Sequence, residues 1–316
     1  MKSAAIRWGA LVLLACVVAT RGVAQEAAEE DADRPATSSP VASGADVTDK
    51  DRTWANFTHE AATVGDGHYW IELRGMKLND DEGARKEIVA GGATVSGPAL
   101  GLSGYPVNEY EKQNGDFIEE IDGGRFDLIG AYGLGPYWEL GMDLPFVMQE
   151  EINLAGGAIK DEVDVGDLVF YGKFKKALAE HWAGALGLEM SIPTGSESKL
   201  LGSGELGLNP FLSTRYQSGR LAVGAHAGFL LNTNSQPDVF NWSVQGIVRG
   251  TALFSLRAEI NGRVFNDFGE TFNDISAYPG IDFNLTDNII IRPEGLAHIT
   301  DDAIDWGIGI GFVFTM

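Results

Sequence analysis

The sequence is almost free of cysteine. Cys16 is the only cysteine among 316 residues, and it lies in an N-terminal segment that we predict to be removed. The mature chain therefore has neither a disulfide framework nor a cysteine-ligated metal site.

Long apolar runs are missing as well. Beyond the first 24 residues, no stretch approaches the roughly 20 consecutive apolar residues of a transmembrane helix. The chain also contains 41 glycines, which disfavour long helices. If this protein crosses a membrane, it must cross as strands.

Basic residues are scarce compared with acidic ones. The chain has 23 Lys and Arg residues against 45 Asp and Glu residues, a formal charge of -22. Residues 1–24 contain three of the basic residues and none of the acidic ones, so their removal changes the formal charge to -25. Such a surface repels nucleic acid, and we exclude nucleic acid as a partner.

The first 24 residues have the organisation of a secretory signal peptide. Lys2 and Arg7 precede an apolar run at 8–19, and small residues follow at 22–24, where a signal peptidase would cut. We therefore predict a cleaved signal peptide at 1–24 and export from the cytoplasm. Residues 13–16 leave the alternative of a lipoprotein signal, in which Cys16 becomes the lipidated first residue.

Residues 25–66 form an acidic segment. Eight Asp and Glu residues lie between positions 25 and 51, among Ala, Ser, Thr and two prolines. Since this composition cannot bury a core, we predict a largely disordered periplasmic segment. A plug or a partner-docking segment is the alternative.

The remaining residues, 67–316, have the pattern of β-strands. Twelve segments of strand length alternate apolar with polar residues and are separated by turn-like clusters. The segments are 68–77, 125–134, 136–149, 163–177, 181–193, 206–217, 220–232, 239–250, 252–265, 273–284, 288–299 and 304–315. We predict an all-β fold, an antiparallel up-and-down transmembrane β-barrel of about twelve strands.

The connections between these segments alternate in length. Short connections lie at 135, 179–180, 218–219, 250–251 and 286–287, and mostly longer ones at 78–124, 150–162, 194–205, 233–238, 266–272 and 300–303. Outer-membrane barrels have short periplasmic turns and longer outer loops, and an even strand number returns both termini to the periplasm. A soluble β-sandwich has no reason to sort its loops in this way.

Each predicted strand has one apolar face. In the last strand, large apolar side chains from Ile304 to Phe314 alternate with Asp, Gly and Val. A second such stripe consists of Trp138, Leu140, Met142, Leu144, Phe146 and Met148. Acyl chains would cover these stripes in a membrane, and we expect the last strand to close the barrel against the first. Aromatic residues near strand ends are typical of an interfacial girdle.

The opposite faces carry charges that would lie inside the barrel. Buried charges must be paired or hydrated, which leaves two alternatives for the lumen. It is a wet passage with a ladder of arginines facing acidic strands, or a narrow barrel blocked by salt bridges. The residues that we expect along the solute path are Glu139, Asp143, Asp167, Lys173, Lys175, Glu189, Arg249, Arg257, Arg263, Arg292 and Glu294.

A lipid-modifying barrel enzyme is a further alternative. His226 or His298 with Ser213 or Ser243 would supply the Ser and His pair of such a site. The site would need access from the lipid, whereas the strand pattern turns both histidines inward. The histidines also lack metal-ligand spacing, and the GxGxxG match at 202–207 precedes a strand instead of a helix. We therefore predict no enzymatic activity, no metal and no cofactor.

Three short motifs carry a resemblance to a known family. They are Gly-Asp-Leu at 166–168 before an aromatic and lysine-containing strand, Pro-Thr-Gly at 193–195 after an apolar strand, and Gly-Glu-Leu-Gly at 204–207. This arrangement resembles the outer-membrane family described as the MetA-pathway of phenol degradation, over roughly residues 125–316. The resemblance implies a bacterial outer-membrane barrel that passes small, often aromatic or hydrophobic compounds, and it implies no catalytic residues.

These patterns together predict a porin-like channel in the outer membrane of a Gram-negative bacterium. Its expected partners are outer-membrane lipid, the barrel assembly machinery and a small-molecule solute, and its first loop at 78–124 is the expected gate. The alternative in another class is a non-conducting surface barrel whose loops bind a partner.

Overall fold

The structure is a computed structural model that describes residues 61, 64–80, 118–154, 157–195, 203–233, 238–267, 270–300 and 306–316. The predicted signal peptide, most of the acidic segment and most of the first loop lie outside these residues. Within the described ranges, no helix is long and apolar enough to cross a membrane.

The described residues form thirteen antiparallel strands, rich in the β-branched and aromatic residues that suit a pleated wall. They are β1 (Tyr69–Asp80), β2 (Ile118–Leu134), β3 (Trp138–Leu154), β4 (Gly157–Val165), β5 (Leu168–Ala179), β6 (Trp182–Ile192), β7 (Gly207–Ser218), β8 (Leu221–Asn232), β9 (Val239–Arg249), β10 (Phe254–Asp267), β11 (Glu270–Asn284), β12 (Ile289–His298) and β13 (Trp306–Thr315).

Twelve of these strands close into a barrel. Neighbours along the chain pair from β1 to β3 and from β5 to β13, and β3 pairs with β5. The ring closes where β13 pairs with β1, from Trp70 opposite Thr315 to Asn79 opposite Trp306. The predicted twelve-stranded barrel and its predicted closing pair are confirmed. Closure gives each of these twelve strands a neighbour on both sides, as a wall in hydrocarbon requires.

The end of β3 and the thirteenth strand, β4, together occupy most of the predicted loop at 150–162. β3 continues to Leu154, and β4 returns beside it with Phe146 opposite Val165. The loop prediction was wrong there because β4 has four charged residues among nine and no alternating apolar face. A hairpin that extends beyond the membrane needs no lipid-facing stripe.

The predicted strand at 163–177 is interrupted once. Gly166 and Asp167 separate β4 from β5, and both strands run antiparallel to β3. The Gly166 N–H still donates to the carbonyl of Pro145 over 2.8 Å, so the pairing continues across the break. The first part of β2 and the last part of β3, which we call upper β2 and upper β3, therefore form a three-stranded sheet with β4. This sheet extends beyond the ends of β5 and β6.

The outer wall of the barrel is apolar. On β13, Trp306, Ile308 and Ile310 expose 43%, 60% and 43% of their surface, whereas Gly311 and Val313 are buried. Leu186 and Leu188 on β6, Leu212 on β7 and Leu256 on β10 are similarly exposed. A soluble monomer does not leave an apolar surface of this extent uncovered, whereas lipid covers it in a membrane.

Five tight turns lie at the end of the barrel where β1 begins and β13 ends. They occupy 135–137, 180–181, 219–220, 250–253 and 285–288. Gly135 and Gly219 have φ values of +76° and +55°, a conformation that glycine adopts without strain. Tyr69 and Met316 exchange backbone hydrogen bonds of 2.7 and 3.0 Å at the same end. The predicted short turns thus share one end with both barrel termini. We call it the periplasmic end, as the sequence predicts, and the opposite end the extracellular rim.

Candidate functional site

The inner wall carries all of the predicted path residues. Ten of the eleven are less than a tenth exposed: Glu139, Asp143, Asp167, Lys173, Lys175, Glu189, Arg257, Arg263, Arg292 and Glu294. Arg249 lies at the periplasmic end of β9 and is partly exposed. Alternation along the strands placed these side chains on the inner face, and their role in solute passage stays a prediction.

Six charged side chains form a closed ring on the inner wall of β1, β10, β11 and β12. We call this cluster the ionic ring. The successive N···O distances are 3.2 Å for Glu72–Arg74, 3.6 Å for Arg74–Glu294, 2.6 Å for Glu294–Arg257, 3.4 Å for Arg257–Asp282, 2.9 Å for Asp282–Arg292 and 3.1 Å for Arg292–Glu72. Each arginine lies between two carboxylates, so the ring is buried without net charge.

The ionic ring reaches across β13 without using any of its side chains. Arg74 and Arg292 both lie opposite Gly311 in the ladders. A Cβ at Gly311 would lie 2.9 Å from Oε1 of Glu72 and 3.4 Å from Cβ of Arg292. Glycine therefore leaves the space in which β1 and β12 form their ion pair.

This pairing differs from the predicted arginine ladder. Arg257 contacts carboxylates on β11 and β12, and Arg292 contacts carboxylates on β11 and β1, as in the alternative of a barrel crossed by salt bridges. A planar contact adds to the packing, since the guanidinium carbon of Arg292 lies 5.5 Å from the ring centroid of Trp70.

A second charged group joins β2 and β3. Arg125 contacts Asp127 on its own strand and lies 2.8 Å from Asp143 on β3. Arg125 is 3% exposed and was not among the predicted path residues. Its position two residues before Asp127 gives it the same inward direction, so the alternation of β2 was a sufficient signal.

The chain before β1 enters the periplasmic end of the lumen. Val64 is fully buried, and its N–H donates to Oε2 of Glu139 over 2.7 Å. The other oxygen, Oε1, accepts the Tyr171 hydroxyl at 2.6 Å and lies 3.3 Å from the Lys173 ammonium. Glu139 thus links the entering chain to β3 and β5.

Small residues make room for this entering chain. A Cβ at Gly133 would overlap the carbonyl oxygens of Val64 and Gly65. Further along the wall, Ala61 forms a buried cluster with Ala183 and Ala185 of β6. Residues 61, 64 and 65 therefore lie against the inner wall from β2 to β6. They belong to the segment 25–66, for which a plug was one alternative.

Asp167 lies at the extracellular rim, where its carboxylate holds two connections. Oδ1 accepts the N–H of Gly195 at 3.0 Å. Oδ2 accepts both the N–H and the hydroxyl of Ser203, at 2.7 and 2.6 Å. These contacts order the rim between β5, β6 and β7.

The motifs of the family resemblance meet at this rim. Oγ1 of Thr194 donates to the carbonyl of Gly166 at 2.8 Å and accepts the N–H of Leu168 at 2.9 Å. Together with Asp167, these bonds join the motif at 166–168 to the one at 193–195 and to Ser203, which precedes the motif at 204–207. The three motifs therefore serve one junction of the barrel wall.

The residues named for the enzyme alternative lie inside the barrel. Ser213 and Ser243 are directly opposite His226 on the neighbouring strands, and His226 is 4% exposed, so its predicted inward direction is confirmed. Its Nε2 lies 3.0 Å from Oδ1 of Asn241, whose Nδ2 donates to Oδ1 of Asn209 at 3.2 Å. The side chain of His298 lies outside what the structure describes. Among the described residues, no group of three His, Cys, Asp or Glu is arranged to hold a metal.

Comparison with known families agrees with this geometry. A sequence model of the family described as MetA-pathway of phenol degradation matches residues 110–315. The chain belongs to this family. A comparison with curated protein sequences found no match.

A solved structure shares the fold of this MetA-pathway barrel. A crystal structure of an outer membrane channel from Pseudomonas putida F1 matches with a TM-score of 0.59 at 11% identity, covering 82% of this chain and 99% of that one. The NanC porin matches with a TM-score of 0.49 at 9% identity, covering 77% of this chain and 98% of that one. The protein is an outer-membrane β-barrel.

Proposed function

We propose that this barrel is a channel that passes small molecules across the outer membrane without chemical change. The observation that carries the proposal is the closed twelve-stranded wall, apolar outside and lined inside by charged and polar side chains. A barrel that served only as an anchor would have no need for so many buried polar groups, each of which is costly to desolvate. Family membership supports small aromatic or hydrophobic solutes.

The proposed solute path follows the inner wall at the predicted charged positions. In the described conformation all of these side chains except Arg249 are buried, and several form ion pairs with one another. We infer that this conformation is a closed state and that conduction requires part of the interior to open. The entering chain at Val64 narrows the periplasmic end in this state.

The setting of the channel completes the proposal. Residues 1–24 are removed after export, the acidic segment lies on the periplasmic side, and the barrel assembly machinery inserts the chain among outer-membrane lipids. The charge pattern, the lipid-facing stripes and the shared end of both barrel termini support these assignments.

Single-channel recording in planar bilayers tests the channel. We expect stepwise conductance from the purified full-length protein and uptake of small solutes by proteoliposomes. Gly133→Ala should raise the conductance because its Cβ displaces Val64 and Gly65. The matched control is Gly75→Ala, whose Cβ would come no closer than 4.0 Å to a neighbour. A folded barrel without conductance and without uptake would defeat the channel.

A surface barrel that binds a partner is the second candidate. It is favoured by the sheet of upper β2, upper β3 and β4, which extends beyond the ends of β5 and β6. A barrel that proves silent in bilayers, yet loses a surface ligand when residues 150–160 are shortened to a tight turn, would support this candidate over the channel.

A further inference from the structure

A row of uncharged polar side chains crosses five adjacent strands of the inner wall. The residues are directly opposite one another in consecutive ladders: Ser213 on β7, His226 on β8, Ser243 on β9, Asn261 on β10 and Ser276 on β11. We call them the neutral row. Each is less than a tenth exposed.

The neutral row rises along the barrel axis, away from the periplasmic end, as it passes from β7 to β11. Ser213 lies five residues before the periplasmic end of β7, whereas Ser276 lies eight residues before the periplasmic end of β11. Because barrel strands are tilted, a row perpendicular to them rises as it passes around the wall. Neighbouring members are separated by about 4.8 Å, the spacing of paired strands. The row therefore offers successive hydrogen-bonding positions along the direction of transport.

Three members of the row have a polar atom to which no described residue bonds. Oγ of Ser213, Nδ2 of Asn261 and Oγ of Ser276 are buried and have no hydrogen-bond partner among the described residues. Leaving such a group unsatisfied costs about 1–3 kcal/mol. Groups that are buried at this cost, on three strands and in one row, indicate that another molecule supplies their partners.

The surroundings of the row select an uncharged molecule. Asn261 lies between Glu259 and Arg263 on the inner face of β10, so the nearest charges on that strand have opposite signs. His226 is held by Asn241 through its Nε2, which fixes the ring plane within the row. Phe211 lies 5.2 Å from the His226 ring, between centroids, and adds an apolar surface.

We propose that the neutral row is a binding track for an uncharged solute that carries at least two hydroxyl groups. The hydroxyls bond to successive members of the row, while the carbon skeleton lies against Phe211. This inference rests on the proposed channel function and names the chemical class of its solute. Opening of the interior exposes the row, and the bonds gained there offset part of the cost of opening.

The test uses a variant that removes the polar atoms at constant shape, Ser213→Ala with Asn261→Leu and Ser276→Ala. Full-length protein is placed in proteoliposomes and offered sorbitol, gluconate or a dihydroxybenzene. Sorbitol and gluconate are matched in size and differ in charge, and the dihydroxybenzene separates aromatic from aliphatic hydroxyl carriers. Thr214→Val is the matched control because its hydroxyl bonds to the Ala183 carbonyl, away from the row.

We expect wild type and Thr214→Val to take up a neutral hydroxylated solute in preference to gluconate. The triple variant should raise the half-saturating concentration of that solute about tenfold, the loss of one to two hydrogen bonds. Equal uptake by the triple variant, or equal uptake of gluconate, would overturn the track. If the triple variant lacks the heat-modifiable migration of a folded barrel, Ser276→Ala alone must show a smaller loss in the same direction.

Saturation-transfer NMR of the solutes separates this proposal from the channel itself. Contact between sorbitol or the dihydroxybenzene and the detergent-solubilised wild type, lost in the triple variant, supports the track even if bilayers give no conductance. A conducting barrel that contacts neither solute keeps the channel and defeats the track, and leaves the row as a site for water alone.

Discussion

The ionic ring and the neutral row share β10 and β11. The charged groups of the ring pair with one another, whereas three members of the row have a polar atom without a partner among the described residues. On β10, Arg257 contacts two carboxylates, whereas Nδ2 of Asn261 has no partner among the described residues. On β11 the same contrast separates Asp282 from Ser276. A buried charge without a partner is too costly to keep, whereas an unpaired hydroxyl or amide is tolerable. The unpaired groups of the neutral row therefore remain available for a ligand at a tolerable cost.

The largest expected effect comes from breaking the ionic ring. Arg292→Met leaves Glu72 and Asp282 each with a single arginine, and we expect the free energy of unfolding to fall by about 3–5 kcal/mol. Urea titration of the barrel in lipid vesicles measures this loss. Arg292→Lys, which keeps the charge without the planar fork, should lose less. A loss below about 1 kcal/mol, as for a surface ion pair, would show that the ring does not hold the strands together.

Removing hydroxyls from the neutral row should have the opposite sign. Ser213→Ala with Ser276→Ala deletes two buried hydroxyls that have no partner among the described residues, and we expect a gain of about 1–2 kcal/mol in the same titration. Thr214→Val, which breaks a hydrogen bond of 3.2 Å, serves as the comparison and should lose about 0.5–1.5 kcal/mol. A double alanine variant that is less stable than Thr214→Val would mean that the serine hydroxyls have partners in the folded barrel.

The smallest expected effect is that of salt. Screening acts on exposed charges over about 10 Å at 0.1 M and about 3 Å at 1 M, but only weakly on buried pairs. We therefore expect the cost of Arg292→Met to change by less than about 1 kcal/mol between these salt concentrations. The effect of the double alanine variant should not change at all. A ring whose contribution disappears at 1 M salt would have to be open to water.

Much of this fold follows from the sequence because a membrane wall imposes a strict pattern. A strand of period two between lipid and lumen must place Trp306, Ile308 and Ile310 on one face and Gly307 and Gly309 on the other. The upper part of β3 and the strand β4 escaped prediction because residues 150–162 carry no sustained alternation of apolar and polar side chains. Strand alternation therefore predicts only what lipid contacts.

The sequence predicted on which face of its strand each charged residue lies, but not which residues form ion pairs. The parity of each strand turned Arg257, Arg292 and Glu294 inward, but their pairing depends on how β10, β11 and β12 are aligned with one another. A shift of two residues in the register would change every ion pair while keeping the apolar stripe on the same face, because side chains alternate between faces with a period of two. The neutral row could not be predicted for another reason. Single Ser and Asn residues form no recognisable sequence pattern, and only the alignment of five strands brings them into one row.

The glycines of β13 have a consequence for the order in which the wall is completed. Glu72 and Arg74 lie on one strand and bond to each other at 3.2 Å, so β1 carries a neutral pair before any other strand arrives. Their remaining partners, Arg292 and Glu294, come from β12, near the other end of the chain. β13 lies between β1 and β12, and Gly309 and Gly311 bring no side chain that could obstruct the ion pairs between them. β1 can therefore lie in the membrane before β12 is in place without exposing an unpaired charge.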